Sequence, residues 1–129
     1  MALFDKTTGG SAFPWTPESC ALQEYIFDGT QVPTGATDTV RIIKIPAGCV
    51  LLGLRYQVVK AEGATLTFDL GDSSSATLFV SNANGNTTAT AAGYVTPKYY
   101  AAADYVVLTT DNASTKAQIK VGVLLGKLA

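Results

Sequence analysis

Strict alternation of apolar and polar residues is the feature that most narrows what this chain can become. From Val50 to Val58 every second residue is apolar (Val50, Leu52, Leu54, Tyr56, Val58), with Leu51, Gly53, Arg55 and Gln57 between them. Past Glu62-Gly63 the pattern resumes, setting Ala64, Leu66, Phe68 and Leu70 against Thr65, Thr67 and Asp69. Near the C terminus Ala117, Ile119, Val121, Val123 and Leu125 alternate with Gln118, Lys120 and Gly122. A period of two puts one set of side chains in a core and the other in water, the pattern of a strand covered on one face. The first two runs, joined by a short turn containing Gly63, predict a β-hairpin.

Further strands are expected over Gln23–Phe27, Val40–Ile45, Ala76–Ser81, Tyr94–Tyr100 and Asp104–Thr110. Val40–Ile45 is apolar on both sides, which predicts cover on both faces. Glu18–Leu22 suits a helical turn, and Asn82–Ala92 is too polar and small to pack, which predicts a long exposed loop. Roughly eight strands at about ten-residue spacing, with no amphipathic helix, predict an all-β fold. The expected form is an antiparallel β-sandwich of jelly-roll type, with an immunoglobulin-like sandwich as the competitor.

Residues 1–33 read differently from 34–129, and predict an extended N-terminal arm ahead of the sandwich domain. The arm carries Phe4 and then Phe13-Pro14-Trp15-Thr16-Pro17, with the single Trp of the chain between two prolines. Proline fixes φ and lacks a donor, so this piece is expected to be extended and outside any ladder. Two readings stand: Trp15 plugs the edge of its own sandwich, or the arm carries Phe4, Phe13, Pro14, Trp15 and Pro17 onto a neighbouring protein. A second candidate surface is Tyr94, Tyr99 and Tyr100, which suit stacking on a sugar or partner, or a core position with a wet hydroxyl.

Composition excludes several chemistries. Charged residues are 15% of the chain and the net charge is -1, so nothing calls for nucleic acid. No window approaches the ~20 apolar residues of a spanning helix, and Met1–Lys6 lacks a signal-peptide core, which predicts synthesis in a cytoplasm and no membrane partner. The chain has no His, the commonest general base and metal ligand, and its two Cys cannot make a four-thiolate zinc site. Cys20 and Cys49 are expected as buried thiols, a disulfide being the other reading. Asp69 and Asp72 beside Ser73-Ser74-Ser75 lack the spacing of a calcium loop and read as solvated turn carboxylates. No cofactor, no metal and no enzymatic activity are expected.

The span Arg41-Ile42-Ile43-Lys44-Ile45-Pro46-Ala47-Gly48, then Val50–Val58, then Ala64-Thr65-Leu66-Thr67-Phe68-Asp69-Leu70-Gly71-Asp72, resembles small virion proteins of tailed bacteriophages. Tyr94, Tyr99-Tyr100 and the closing Gly122-Val123-Leu124-Leu125 are similar too. The resemblance covers about residues 38–129. It implies a capsid decoration or cement protein on the exterior of the virion, bound to the major capsid protein, homo-oligomeric with a trimer favoured, and stabilising the head. The alternative is a tail or fibre component, or a glycan-binding β-sandwich module.

Overall fold

A computed structural model describes residues 3–5, 21–88, 91–94 and 96–127. Its strands are β1 (Leu3–Asp5), β2 (Ala21–Asp28), β3 (Asp38–Ile45), β4 (Cys49–Lys60), β5 (Thr67–Gly71), β6 (Val80–Asn84), β7 (Ala91–Tyr94), β8 (Lys98–Tyr100), β9 (Asp104–Thr110) and β10 (Gln118–Lys127). One sheet has the order β1-β3-β9-β5-β6; the other has the order β2-β10-β4-β7, with β8 also on β4. Pairing is nested: β2 with β10, β3 with β9, β4 with β7 and β8, and β5 with β6, all antiparallel. A chain folded back on itself at β5–β6 and wrapped into two layers gives this order, which is the jelly roll expected from the strand spacing. The parallel exception is β1, which adds to the free edge of β3 through Leu3, Phe4 and Asp5. The expected arm, residues 1–33, includes β2, whose eight residues pair with β10 inside the second sheet. Phe13, Pro14, Trp15, Pro17 and Cys20 lie outside the described residues.

The core forms where the inward faces of the two sheets meet. Phe27, Val40, Ile45, Leu51, Val58, Phe68, Leu108 and Ile119 have no or almost no exposed surface. Each buried side chain of this size contributes roughly 1.5–3 kcal/mol. Tyr56 and Phe68 meet edge to face across the layers, with ring centroids 5.2 Å apart and planes at 86°. In β10 the inward set is the expected one, Ile119, Val121, Val123 and Leu125, continuing from Ala117.

Several local expectations fail for identifiable reasons. The runs β4 and β5 are not a hairpin: they lie in different sheets, and residues 61–66 cross between the layers. Alternation specifies which face is buried, not which strand is the neighbour, so the crossing left no mark in the pattern. In β4 the inward residues are Cys49 and Leu51, then Leu54, Tyr56 and Val58, while Leu52 is exposed. A β-bulge at Leu52-Gly53, opposite Leu124/Leu125, inserts one residue and reverses the parity. A second irregularity, between Arg41 and Ile43, explains why β3 looked apolar on both sides, since Ile42 and Ile43 are both buried. Ala64 is exposed and Asp69 is buried, against expectation. The sixth strand starts at Val80 rather than Ala76 and takes in Asn82–Asn84, and β7 takes in Ala91 and Ala92, so residues 85–88 are what the structure describes of the expected loop outside strands. The expected helical turn at Glu18–Leu22 ends in β2 at Ala21 and Leu22, and Glu18 to Cys20 fall outside the described residues.

Candidate interaction face

The two sheets differ in what they show to water. The outward positions of the first sheet carry Thr39, Arg41, Lys44, Tyr105, Thr109 and Thr67, with the Arg41 guanidinium 4.6 Å from the centre of the Tyr105 ring. The large exposed apolar residues among those described are Leu22, Ile26, Leu52, Val59, Tyr99 and Leu124. All six lie on β2, β4, β8 and β10, the strands of the second sheet. Leu22, Ile26 and Leu124 are 62%, 53% and 40% exposed. Among the described residues this makes the outer face of the second sheet the more apolar of the two.

Strand register shapes that face. Leu22 sits beside Leu124, which sits beside Gly53. The next outward row is Glu24, Gly122, Arg55 and Gly93, and the row after it is Ile26, Lys120 and Gln57. Gly53 and Gly122 bring no side chain to the centre of the face, and a trough of about 550 Å³ opens over them. Leu22 and Leu124 form one wall, and Gln57 and Lys120 the other. The Lys120 ammonium pairs with the Glu24 carboxylate at 3.1 Å. This exposed pair shapes the rim and contributes little to stability.

Of the three tyrosines, read either as a stacking surface or as core positions, Tyr99 and Tyr100 face opposite ways. Tyr99 is exposed beside Val50, whereas Tyr100 is buried beside Cys49, and the Tyr100 hydroxyl donates to Asp72 Oδ2 at 2.8 Å. Tyr94 pairs through its backbone with Leu54, and its side chain is outside the described residues.

Two buried carboxylates, missed by the sequence reading, fasten the loops at the ends of the sandwich. Asp72 Oδ2 also accepts from Lys98 Nζ at 2.6 Å, while Oδ1 accepts from Ser74 N, Ser74 Oγ and Ser75 N. Burial alone pushes this carboxyl up, but the Lys98 ammonium, the Ser74 and Tyr100 hydroxyls and the Ser75 N–H outweigh it and hold it well below the usual carboxylate range. Glu62 Oε1 accepts from Ser114 Oγ at 2.9 Å and from the N–H groups of Thr115, Lys116 and Ala117 at 3.2, 3.2 and 3.0 Å. Burial pushes the Glu62 carboxyl up as well, and this cluster of donors again brings it below its ordinary value. Asp69 goes the other way: burial raises it, the Asn82 N–H partly offsets that, and the Asp111 carboxyl adds to the rise. Each of the three has a structural duty within the fold. Groups of three or more His, Cys, Asp or Glu placed to hold a metal are absent among the described residues.

No protein-family model matches the chain, and no curated protein matches it. Three solved structures do match. The capsid of Ralstonia phage GP4 contains a chain of 12% identity and TM-score 0.68, with 99% of each chain covered. The acidic stable capsid structure of Helicobacter pylori bacteriophage KHP30 matches at 14% identity and TM-score 0.67, covering 85% of this chain and 89% of that one. The cyanophage Pam1 capsid asymmetric unit matches at 17% identity and TM-score 0.63, with 93% of each covered. At these identities the shared property is the fold.

Proposed function

We propose that this chain is a structural protein of a bacteriophage virion, and within that class a decoration or cement protein on the outside of the head. The observation that carries the reading is the likeness of fold, end to end, to a chain from the GP4 capsid. The outward faces agree with it. A two-layer scaffold whose second sheet carries exposed apolar side chains among the described residues has the form of a part that works by contact with other subunits. A net charge of -1 leaves little repulsion to oppose association.

In this reading the partners are the major capsid protein and further copies of the chain, with a trimer as the assembly and Phe4, Phe13, Pro14, Trp15 and Pro17 as contacts of the arm. Many copies on one lattice give avidity, so no single contact has to be large. The chain takes no cofactor and catalyses no reaction. The test is co-sedimentation with purified heads from which the chain has been stripped. The full chain is expected to rebind in a fixed ratio to the shell protein, and a chain lacking residues 6–17 to rebind weakly. Failure of the full chain to rebind, with no copy in untreated heads, refutes the reading.

A further inference from the structure

We infer that the outer face of the second sheet is a two-fold contact between copies of this chain, in which Glu24 of each copy meets Arg55 of the other. The inference goes beyond the virion reading and does not depend on it. It starts from the side chains on either side of β10. Gly122 has Glu24 beside it on β2 and Arg55 beside it on β4, an anion on one flank and a cation on the other at equal strand spacing. The next row repeats the relation in shape. Leu124 lies between Leu22, the most exposed large apolar residue among those described, and Gly53, which has no side chain.

Such a face is complementary to itself. When two copies are laid face to face about a two-fold axis along β10, each residue on β2 stands over the residue of the same row on β4 of the other copy. Glu24 then stands over Arg55 and Leu22 over Gly53, each twice. Gly122 stands over Gly122, where the missing side chains let the two sheets close. The Arg55 guanidinium has no ion pair among the described residues, and this contact supplies one. Leu124 meets Leu124 on the axis. Lys120 also meets its own copy there, but its ammonium leans toward Glu24 at 3.1 Å, and its long stem keeps the charge in water. The other face-to-face arrangement, with the axis across the strands, sets Glu24 over Glu24 and Arg55 over Arg55. Like charges reject it, so charge selects the orientation. Four short strands make a contact at the small end for a specific interface. The free pair is therefore expected to dissociate at about 10–100 μM, and a lattice of copies strengthens it.

The test is sedimentation of charge variants of the full chain, alone and mixed. Wild type is expected to double its mass as concentration rises through that range, whether the smaller species is one chain or the proposed trimer. Glu24→Arg sets cation over cation, and Arg55→Glu sets anion over anion, at both ends of the contact. Either variant alone is expected to associate at least about thirtyfold more weakly. Mixed in equal amounts, E24R and R55E restore opposite charges at both ends, and the doubled species is expected to return as a one-to-one complex. The double variant E24R/R55E is expected to pair with itself and not with wild type. Both positions are exposed, so unfolding midpoints near the wild-type value are expected, which separates loss of contact from loss of fold.

Wild type that keeps the smaller mass at every concentration overturns the inference, since the face is then covered within its own copy or meant for a different protein. Mass doubling that the single variants leave unchanged, or that their mixture does not restore, overturns it as well. Rebinding of the wild-type chain to stripped heads is scored separately, so this contact can fail while the virion reading stands.

Discussion

Replacing Asp72 with Ala removes the carboxylate that ties the 72–75 turn to β8. Five hydrogen bonds end on its two oxygens: Ser74 N and Oγ and Ser75 N on Oδ1, Lys98 Nζ and Tyr100 OH on Oδ2. Removing one member of a buried charged pair costs about 3–5 kcal/mol. Lys98 keeps 34% of its side-chain surface in water and re-solvates when the carboxylate is lost, so the low end applies. The buried Tyr100 hydroxyl does not re-solvate, and it accounts for about 1–3 kcal/mol of the total. The expected loss is therefore about 3 kcal/mol at neutral pH. In urea, with a slope of about 1.5 kcal/mol per molar, the midpoint falls by about 2 M at unchanged slope. The pH dependence has a definite sign. A carboxyl held below its ordinary value contributes fully above the unfolded pKa of ~3.9, and its contribution is lost as pH falls further. The gap between wild type and D72A therefore narrows as pH drops below about 4. A variant within about 0.5 kcal/mol of wild type at pH 7, or a gap that stays constant down to acid pH, refutes the assignment of Asp72 as a clamp.

Glu62→Gln keeps a carbonyl oxygen in the place of Oε1 but loses the charge and puts an NH2 in the place of Oε2, against the Thr115 N–H, and is expected to cost about 2 kcal/mol in urea unfolding at pH 7. Gly71→Ala places a Cβ against the Ser75 carbonyl and 2.6 Å from the Ala76 carbonyl oxygen, all backbone, so a loss above about 3 kcal/mol or failure to fold is expected in the same measurement. Asp69→Asn keeps an acceptor for the Asn82 N–H and removes a charge beside Asp111. Because the Asp69 carboxyl is raised in the folded state, its ionisation lowers stability as pH rises. The variant should melt higher than wild type at pH 7 and lose that advantage toward pH 4. Leu22→Ser with Ile26→Ser should leave the unfolding midpoint within about 0.5 kcal/mol, since both residues are exposed, while weakening association measured by sedimentation.

The sandwich was legible in the sequence because alternation survives wherever a strand has one wet face. The C-terminal run from Ala117 to Leu125 shows this, with every inward residue as expected. Alternation carries no information about partners, which is why Val50–Leu70 suggested a hairpin although its two halves serve different sheets. Bulges were hidden for a related reason. At Leu51-Leu52 two adjacent leucines can each be the inward one, and the Leu124/Leu125 register decides between them. Asp72 and Glu62 looked like ordinary turn residues, since their donors come from as far away as Tyr100 and Ala117. The apolar outer face was in plain sight as Leu22, Ile26 and Leu124, but it became a surface only when β2, β10 and β4 were laid side by side.

Electron cryo-microscopy of untreated virions tests the virion role most directly. The account predicts a two-sheet jelly-roll density on the outer surface of the head at a fixed ratio to the shell protein, its Leu22, Ile26 and Leu124 face covered by a neighbour. Heads bare of that density, or the chain found bound with this sheet face open to solvent, would contradict it.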